Sequence, residues 1–137
     1  MIRQGNIKVS EIMSKQVINV DHMSSLKEAI DVMKDHNVRH LPVMDGKNLV
    51  GIISKSDVDK VKFLESYIQE SGNLPSLTID HIMTKNVNTI QHDDTIREAG
   101  EILSLMSYHA LPVMHDENVV GMVTSTDFIL HLLKHCD

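Results

Sequence analysis

The segment His40–Asp57, HLPVMDGKNLVGIISKSD, returns as ALPVMHDENVVGMVTSTD over Ala110–Asp127, an offset of 70 positions (110 minus 40). The same offset relates Ile12-Met13 to Ile82-Met83. A repeat of this length corresponds to a complete folding unit used twice, because solenoid arrays have shorter periods. The chain is therefore organised as two copies of one unit.

The length and composition predict one globular body. The chain has 137 residues, of which 42% are apolar, enough for a buried core. One copy of about 60 residues would bury too little surface to be stable alone, so we expect the two copies to pack with pseudo-twofold symmetry. We assign residues 1–70 to the first repeat with its lead-in and following helix, 71–78 to a linker, and 79–137 to the second repeat.

The charge balance argues against a nucleic-acid partner. The formal net charge is −6, and two Tyr, two Phe and no Trp offer no platform for stacking bases. The basic residues are unevenly placed: residues 1–60 hold nine Lys/Arg and eight Asp/Glu, whereas residues 61–137 hold four and eleven. We therefore expect any anionic ligand to favour the basic residues of the first repeat.

The chain shows no signal-peptide pattern at its start and no apolar run near 18 residues, so we expect neither secretion by that route nor a membrane partner. The single cysteine, Cys136, excludes an internal disulfide. A reducing, cytoplasmic location is the simplest expectation.

Each repeat has the pattern β-α-β-β-α, which predicts a mixed α/β (α+β) fold. Capping boxes at Ser25/Glu28 and Thr95/Glu98 predict the starts of two helices, whose apolar stripes begin at Leu26 and Ile96. The first helix is predicted to stop at Asn37, and Asp45-Gly46 to form a turn. A second helix in the first repeat is predicted to be capped by Ser56 or Asp57, with an apolar stripe on Val58, Val61, Leu64 and Ile68, and a closing helix is predicted over 126–134. The predicted β runs are 17–20, 41–44, 49–54, 87–90, 111–114 and 119–124.

The strongest chemical signal is a motif at the end of each repeat, Gly-x-x-Ser/Thr-x-Ser/Thr-Asp. It lies where a strand passes into a helix, and helix N-termini present unpaired amides that favour phosphate. A carboxylate would repel phosphate but suits the two hydroxyls of a ribose, so the motif favours a nucleotide. The alternative stays open at this point, because Ser, Thr and Asp are also preferred helix caps that need no ligand.

The repeats resemble the cystathionine β-synthase (CBS) domain, and the tandem pair resembles a Bateman module. Both copies carry Met-Ser/Thr-x-x-Val, starting at Met13 and Met83, then Leu-Pro-Val, then the Gly-to-Asp motif, and the match covers residues 9–131. The resemblance implies a pseudo-symmetric pair with two clefts, each able to take an adenosine ligand: AMP, ADP, ATP or S-adenosylmethionine. No other cofactor is implied.

The resemblance also implies a set of ligand-binding residues. The ribose-binding acids fall on Asp57 and Asp127, and the neighbouring hydroxyls fall on Ser54, Ser56, Thr124 and Thr126. The positions that would line the base in the first copy are Val17, Ile18, Asn19, Arg39, His40, Leu41 and Pro42. Those in the second copy are Val87, Asn88, Thr89, His109, Ala110, Leu111 and Pro112. We infer that Lys55, Arg39 or Lys15 would meet phosphate charge. His40 is larger than its counterpart Ala110, which predicts one crowded and one better cleft.

Metal binding and catalysis are weaker hypotheses. His131 and His135 share a helix face, but no third ligand follows at a zinc-like spacing, so we assign no metal site. Five methionines, Met33, Met44, Met106, Met114 and Met122, fall on apolar faces or strands and are assigned to the core. The chain lacks a dinucleotide fingerprint, a phosphate loop, a zinc-protease motif and a nucleophile elbow, so we assign no catalytic residue.

The sequence thus favours a regulatory sensor that binds an adenine nucleotide and signals its occupancy to an unidentified protein partner. The resemblance implies a homodimer, which we expect to form through the helix faces led by Leu26 and Ile96. The rival hypothesis is a scaffold module whose clefts are empty and whose Ser, Thr and Asp residues act only as caps. An enzyme is the third hypothesis.

Overall fold

A computed structural model describes residues 6–71, 78–106 and 109–136, with the backbone alone for 65–71. The chain divides into two compact units. The first unit is Ile18–Val87, and the second unit joins Met1–Val17 to Asn88–Asp137. Both units follow the same order of elements, as the repeat predicts.

The first unit is a three-stranded sheet with helices. Its elements are β1 (Val20–Asp21), α1 (Leu26–His36), β2 (His40–Asp45), β3 (Asn48–Ser54), α2 (Lys55–Ser71) and α3 (Ile79–Ile82). Strand β2 lies in the middle, parallel to β1 and antiparallel to β3. The hydroxyl of Ser25 accepts a hydrogen bond from the Glu28 amide at 3.2 Å, and Asn37 ends α1 with φ of 52°. The predicted helix start and stop are therefore confirmed.

The second unit repeats this arrangement. A 3-10 turn at Val9–Glu11 is followed, after the first unit, by β4 (Ile90–Gln91), α4 (Ile96–Leu105), β5 (Ala110–His115), β6 (Asn118–Thr124) and α5 (Ser125–Lys134). The strand order is β4-β5-β6, with β5 in the middle. The mixed α/β class and the β-α-β-β-α order are confirmed.

The segment that precedes the first strand of each repeat, residues 6–17 in the first and 78–87 in the second, is called its lead-in. Each lead-in covers the outer edge of a strand from the other repeat, either β3 or β6. Thr84 exchanges two backbone hydrogen bonds with Ile52 of β3, at 2.8 and 3.0 Å, and Ser14 exchanges two with Met122 of β6, at 2.9 and 3.1 Å. The side chains follow the same exchange, because Ile79 is fully buried in the core of the first unit and Val9 in that of the second. The compact units therefore cut across the repeat boundaries, at 17/18 and 87/88.

Some local predictions were wrong. The first strands of the two sheets begin at Val20 and Ile90, three residues later than expected. The cap of α2 is Ser54, which precedes Ser56 and Asp57. Leu64 is exposed and does not continue the buried stripe of α2. Of the predicted 71–78 linker, residues 72–77 lie outside the described residues.

Candidate functional site

In the first unit the predicted hydroxyl and carboxylate lie together at the start of α2. The Asp57 amide donates to the Ser54 hydroxyl at 3.1 Å, and the Ser54 amide donates to the Asp57 carboxylate at 3.4 Å. Each side chain therefore satisfies a backbone amide that the helix leaves unpaired. Ser54 and Asp57 are half-buried, whereas Ser56, which lies between them in the sequence, is exposed.

Two basic residues stand beside this capping box. The Lys55 amide donates to the Arg39 carbonyl at 2.8 Å, which holds the end of the α1–β2 connection against the start of α2. His40 pairs with Ser54 in the β2–β3 ladder. Arg39 and Lys55 are exposed, and His40 is half-buried. The arrangement brings two cations, a hydroxyl and a carboxylate to one end of the sheet.

The second unit builds the same corner with fewer charges. The Ser125 amide donates to the His109 carbonyl at 3.1 Å, and Ala110 pairs with Thr124. The Thr124 amide and hydroxyl both donate to Oδ2 of Asp127, at 2.8 and 3.2 Å, and the Asp127 amide donates back to the Thr124 hydroxyl at 3.4 Å. Both bonds that Thr124 donates to the carboxylate therefore end on the same oxygen, Oδ2.

Burial raises the pKa of the Asp127 carboxyl above its ordinary value of 3.8, although the backbone and side-chain hydrogen bonds from Thr124 pull the pKa the other way. Desolvation is the larger effect, because a carboxylate loses hydration when it enters a low-dielectric site. A carboxylate that is held desolvated is better prepared to accept hydrogen bonds from a ligand than one that remains fully hydrated.

The predicted base-lining residues separate into two groups. The exposed group consists of Arg39, His109, Asn19, Asn88 and Thr89. The buried group packs in the cores of the two units, because β2 and β5 are the middle strands of their sheets. This group consists of Leu41, Pro42, Ala110, Leu111 and Pro112.

Some of the predicted base-lining residues lie in the other compact unit from the acid of their own repeat. Val17 belongs to the second unit, which holds Asp127, and Val87 belongs to the first unit, which holds Asp57. Ile18 stays with the first unit and packs against its core. Lys15 likewise falls in the second unit, and its counterpart Lys85 in the first.

Two features of the site were missed by the sequence interpretation. The caps are Ser54 and Thr124, although the spacing Ser/Thr-x-x-Asp is itself a capping-box signal. The glycines of the motif serve close packing: a Cβ at Gly51 would lie 2.5 Å from Met83 Sδ, and a Cβ at Gly121 would lie 2.6 Å from Met13 Sδ. The recurrence of Met at a constant distance before Gly was the available signal.

The remaining candidates do not form a second site. The rings of His131 and His135 lie 4.6 Å apart on α5. Within residues 6–71, 78–106 and 109–136, no three His, Cys, Asp or Glu side chains are grouped so that they could hold a metal ion. In the same part of the chain no helix combines the length and apolar character that crossing a membrane requires.

Comparison with known protein structures supports the same fold over nearly the whole chain. The CBS domain pair of protein MJ0100, in complex with 5'-methylthioadenosine and S-adenosyl-L-methionine, is 32% identical with a TM-score of 0.80, covering 94% of this chain and 98% of that one. The CBS-pair protein CBSX2 from Arabidopsis thaliana shares the fold at 20% identity and a TM-score of 0.76, covering 94% and 96% of the two chains.

Comparison by sequence finds the same module inside larger proteins. A homoserine O-acetyltransferase from Methanocorpusculum labreanum is 35% identical over 119 residues, which is 85% of this chain and 22% of the relative. An inosine-5'-monophosphate dehydrogenase from Korarchaeum cryptofilum is 34% identical over 114 residues, 82% of this chain and 22% of the relative. The chain thus spans about a quarter or less of these curated relatives.

The family model of the CBS domain matches residues 9–62 and 79–134, the two repeats recognised in the sequence. Together the two matches cover most of the chain, and they coincide with the two copies of the Gly-to-Asp motif. The chain therefore belongs to the CBS-domain family, as a tandem pair.

Proposed function

We propose that this protein is a regulatory module that binds adenosine ligands at the two corners formed by Ser54–Asp57 and Thr124–Asp127. The observation that carries the proposal is the likeness, at 32% identity over 94% of the chain, to a CBS domain pair in complex with 5'-methylthioadenosine and S-adenosyl-L-methionine. The ligand class is AMP, ADP, ATP, S-adenosylmethionine or a related adenosine compound. No further cofactor is required.

The geometry of the corners supports this proposal. Each capping box places one carboxylate at a helix start beside hydroxyl groups. The carboxylate can accept from the two ribose hydroxyls, and the hydroxyls and amides can donate to the substituent on the ribose 5' carbon. The same hydrogen bonds would also exist in an empty scaffold module, the rival hypothesis. The two hypotheses differ in whether a ligand also donates hydrogen bonds to the carboxylate.

The proposed mechanism is a shift between conformational populations that a protein partner reads. A ligand changes such an equilibrium only by its difference in affinity for the two conformations, typically about 1–3 kcal/mol. We propose no reaction for this chain itself. The enzymatic names of the curated relatives describe proteins of which it spans 22%, and the ligand class and the single Cys136 favour a cytoplasmic setting.

A thermal-shift panel tests the proposal. The full chain is melted with AMP, ADP, ATP, S-adenosylmethionine, 5'-methylthioadenosine and a GTP control. A ligand at 100 times its Kd stabilises the folded state by about 2.7 kcal/mol, and each kcal/mol raises the Tm by about 2–8 °C at this size. A rise with adenosine ligands and not with GTP supports the proposal, whereas an unchanged Tm with all of them favours the scaffold hypothesis.

We also propose that the module is a homodimer, with its contact centred on α5 and not on Leu26 and Ile96 themselves. Those two side chains are each 6% exposed, so they offer a partner chain little surface. The exposed apolar surface lies on α5 instead, where Leu132 and Leu133 are 63% and 64% exposed. Beside it, a groove of about 500 Å³ runs between α4 and α5, lined partly by Ile96, Gly100 and Phe128.

The dimer is tested by sedimentation of the chain carrying Leu132→Lys and Leu133→Lys. Two lysines on the apolar face should turn a dimer into a monomer, because a buried unpaired charge is costly. The matched control is Met23→Lys, which places a lysine at another exposed apolar residue, on the first unit. A monomeric wild type, or a dimer that survives the double substitution, would contradict the proposed face.

A further inference from the structure

The two candidate corners differ in charge although their backbones are alike. Equivalent positions carry Arg39 and His109, His40 and Ala110, Lys55 and Ser125. The connection is the same in both units, since the Lys55 amide bonds the Arg39 carbonyl and the Ser125 amide bonds the His109 carbonyl. Charge is therefore the property that distinguishes the corners.

The cations of the first corner are available to a ligand. None of the ion pairs formed among the described residues involves Arg39 or Lys55, and both side chains are exposed. An unpaired guanidinium and ammonium beside a helix N-terminus are the groups that bind phosphate oxygens with charge-assisted hydrogen bonds. Two cations here outnumber the single carboxylate of Asp57.

The second corner lacks such donors. Ser125 is neutral, and Nδ1 of His109 lies 3.1 Å from the Leu103 carbonyl, which can only accept. Nδ1 therefore carries the proton, and in the neutral ring Nε2 becomes an acceptor that offers phosphate no hydrogen. The desolvated carboxylate of Asp127 adds repulsion, since its charge is screened by fewer water molecules than at an exposed site.

The lead-in lysines do not remove this difference. Lys15 lies in the second unit and Lys85 in the first, at equivalent positions directly after the bridging residues Ser14 and Thr84. Both are exposed. Each unit therefore has one lysine of this kind, and the contrast between the corners rests on Arg39 and Lys55 against His109 and Ser125.

We infer that the corner at Ser54–Asp57 selects a phosphorylated adenosine ligand, and that the corner at Thr124–Asp127 selects an adenosine ligand without phosphate. The inference rests on the proposed function and adds to it a different substrate class for each corner. One chain would then sense two chemically distinct adenosine compounds.

Isothermal titration of the full chain with AMP and with adenosine tests the inference, because these ligands differ only by the phosphate. Asp127→Asn isolates the first corner and Asp57→Asn isolates the second. In the Asp127→Asn chain we expect AMP to bind about tenfold or more tighter than adenosine, with the advantage shrinking at high salt. In the Asp57→Asn chain we expect AMP to bind no tighter than adenosine.

Charge exchange then identifies the responsible residues. Arg39→His with Lys55→Ser gives the first corner the residues of the second, and should abolish the preference for AMP over adenosine, so that the ratio of the two affinities falls to about one. Ser125→Lys should give the second corner a preference for AMP. Circular dichroism and the Tm of each variant check that it folds.

The outcomes separate the two levels of the proposal. If both ligands bind but the ratio of their affinities is equal in the two backgrounds, or is unchanged by the charge exchange, the charge inference is wrong and the proposed function stands. If neither ligand binds the wild-type chain, the charge inference is overturned, and the proposed function is overturned as well when the thermal-shift panel of adenosine ligands also shows no change.

Discussion

The carboxylate of Asp127 is half-buried at the start of α5 and accepts two hydrogen bonds from Thr124 through a single oxygen. Ionising a desolvated carboxyl costs free energy, and here burial outweighs the hydrogen bonds, because the pKa is raised. A side chain that costs stability at neutral pH has the character of a functional residue.

The raised pKa of Asp127 predicts a pH-dependent stability. The folded chain holds the Asp127 proton more readily than the unfolded chain, so the stability owed to this group is present at low pH and is lost as the pH rises through the folded pKa, above 3.8. Asp127→Asn cannot titrate. The Tm of wild type relative to Asp127→Asn should therefore fall as the pH rises above about 4; a difference that rises instead would contradict the desolvation account.

The glycines of the motif are required by close packing at the sheet edge. A Cβ at Gly121 would lie 2.7 Å from the Ser14 carbonyl, a backbone atom, whereas a Cβ at Gly51 would mainly meet the flexible Met83 side chain, with the Thr84 carbonyl at 3.0 Å. Overpacking costs about 1–3 kcal/mol, so Gly121→Ala should destabilise the chain more than Gly51→Ala.

Urea unfolding measures the two glycine variants. Gly100→Ala is the matched control, since its Cβ would lie 3.4 Å from the nearest atom, Phe128 Cε1, and alanine favours the helix. The control should be neutral or stabilising. Equal effects of Gly51→Ala and Gly121→Ala would show that the Met contact, and not the backbone, sets the cost.

At the residue scale much of the site could be predicted from sequence. The hydroxyls and acids were identified from their spacing, because capping chemistry acts over three residues along one chain. The predicted cap of α2, Ser56 or Asp57, was wrong: the cap is Ser54, another hydroxyl residue within reach of the helix start. Burial of Leu41 and Leu111 depends on tertiary packing, which a local pattern does not contain.

At the scale of elements, the lead-in segments complete the two sheets. Each lead-in contributes a pair of backbone hydrogen bonds to the outer edge of β3 or β6. An edge strand left bare would expose unpaired amides and carbonyls, so the lead-in satisfies groups that the sheet alone would not. The helix starts, the Asn37 stop and the hairpin turn could be predicted because their signals are local. The sequence could not predict which strand edge each lead-in covers, because both repeats offer the same pattern at that edge.

Thr84→Pro tests the role of the lead-in in the first unit. Proline removes the amide that donates to the Ile52 carbonyl at 2.8 Å. We expect a loss of about 1–3 kcal/mol, the cost of an unsatisfied buried partner, whereas Thr84→Ala keeps the amide and serves as the control. Hydrogen exchange at Ile52 should accelerate in the proline variant only; equal exchange in both variants would contradict the edge-covering role.

At the scale of the whole molecule, the chain passes from one unit to the other at 17/18 and again at 87/88. Val9 belongs to the first repeat yet lies in the core with Leu111 and Val123, and Ile79 belongs to the second repeat yet lies in the core with Leu41 and Ile53. The two repeats are therefore not independent folding segments, although their sequences match the family model separately.

Truncating the two exchanged side chains tests this arrangement. Ile79→Ala should cost about 2–5 kcal/mol through the cavity it leaves, and it should accelerate hydrogen exchange in β2 and β3. Val9→Ala should act instead on β5 and β6. If each substitution loosened the sheet of its own sequence repeat, Ile79 acting on β5 and β6, the exchange of lead-ins would be wrong.

Titration of adenosine ligands into wild type and into the chain carrying both Asp57→Asn and Asp127→Asn tests whether the two carboxylates bind ligand. Asparagine keeps an oxygen that can accept the cap bonds at Ser54 and Thr124, but it loses the carboxylate. The account predicts saturable binding to wild type and at least about a tenfold loss in the double variant, with folding retained. Binding that is absent from wild type, or unchanged in the double variant, would contradict it.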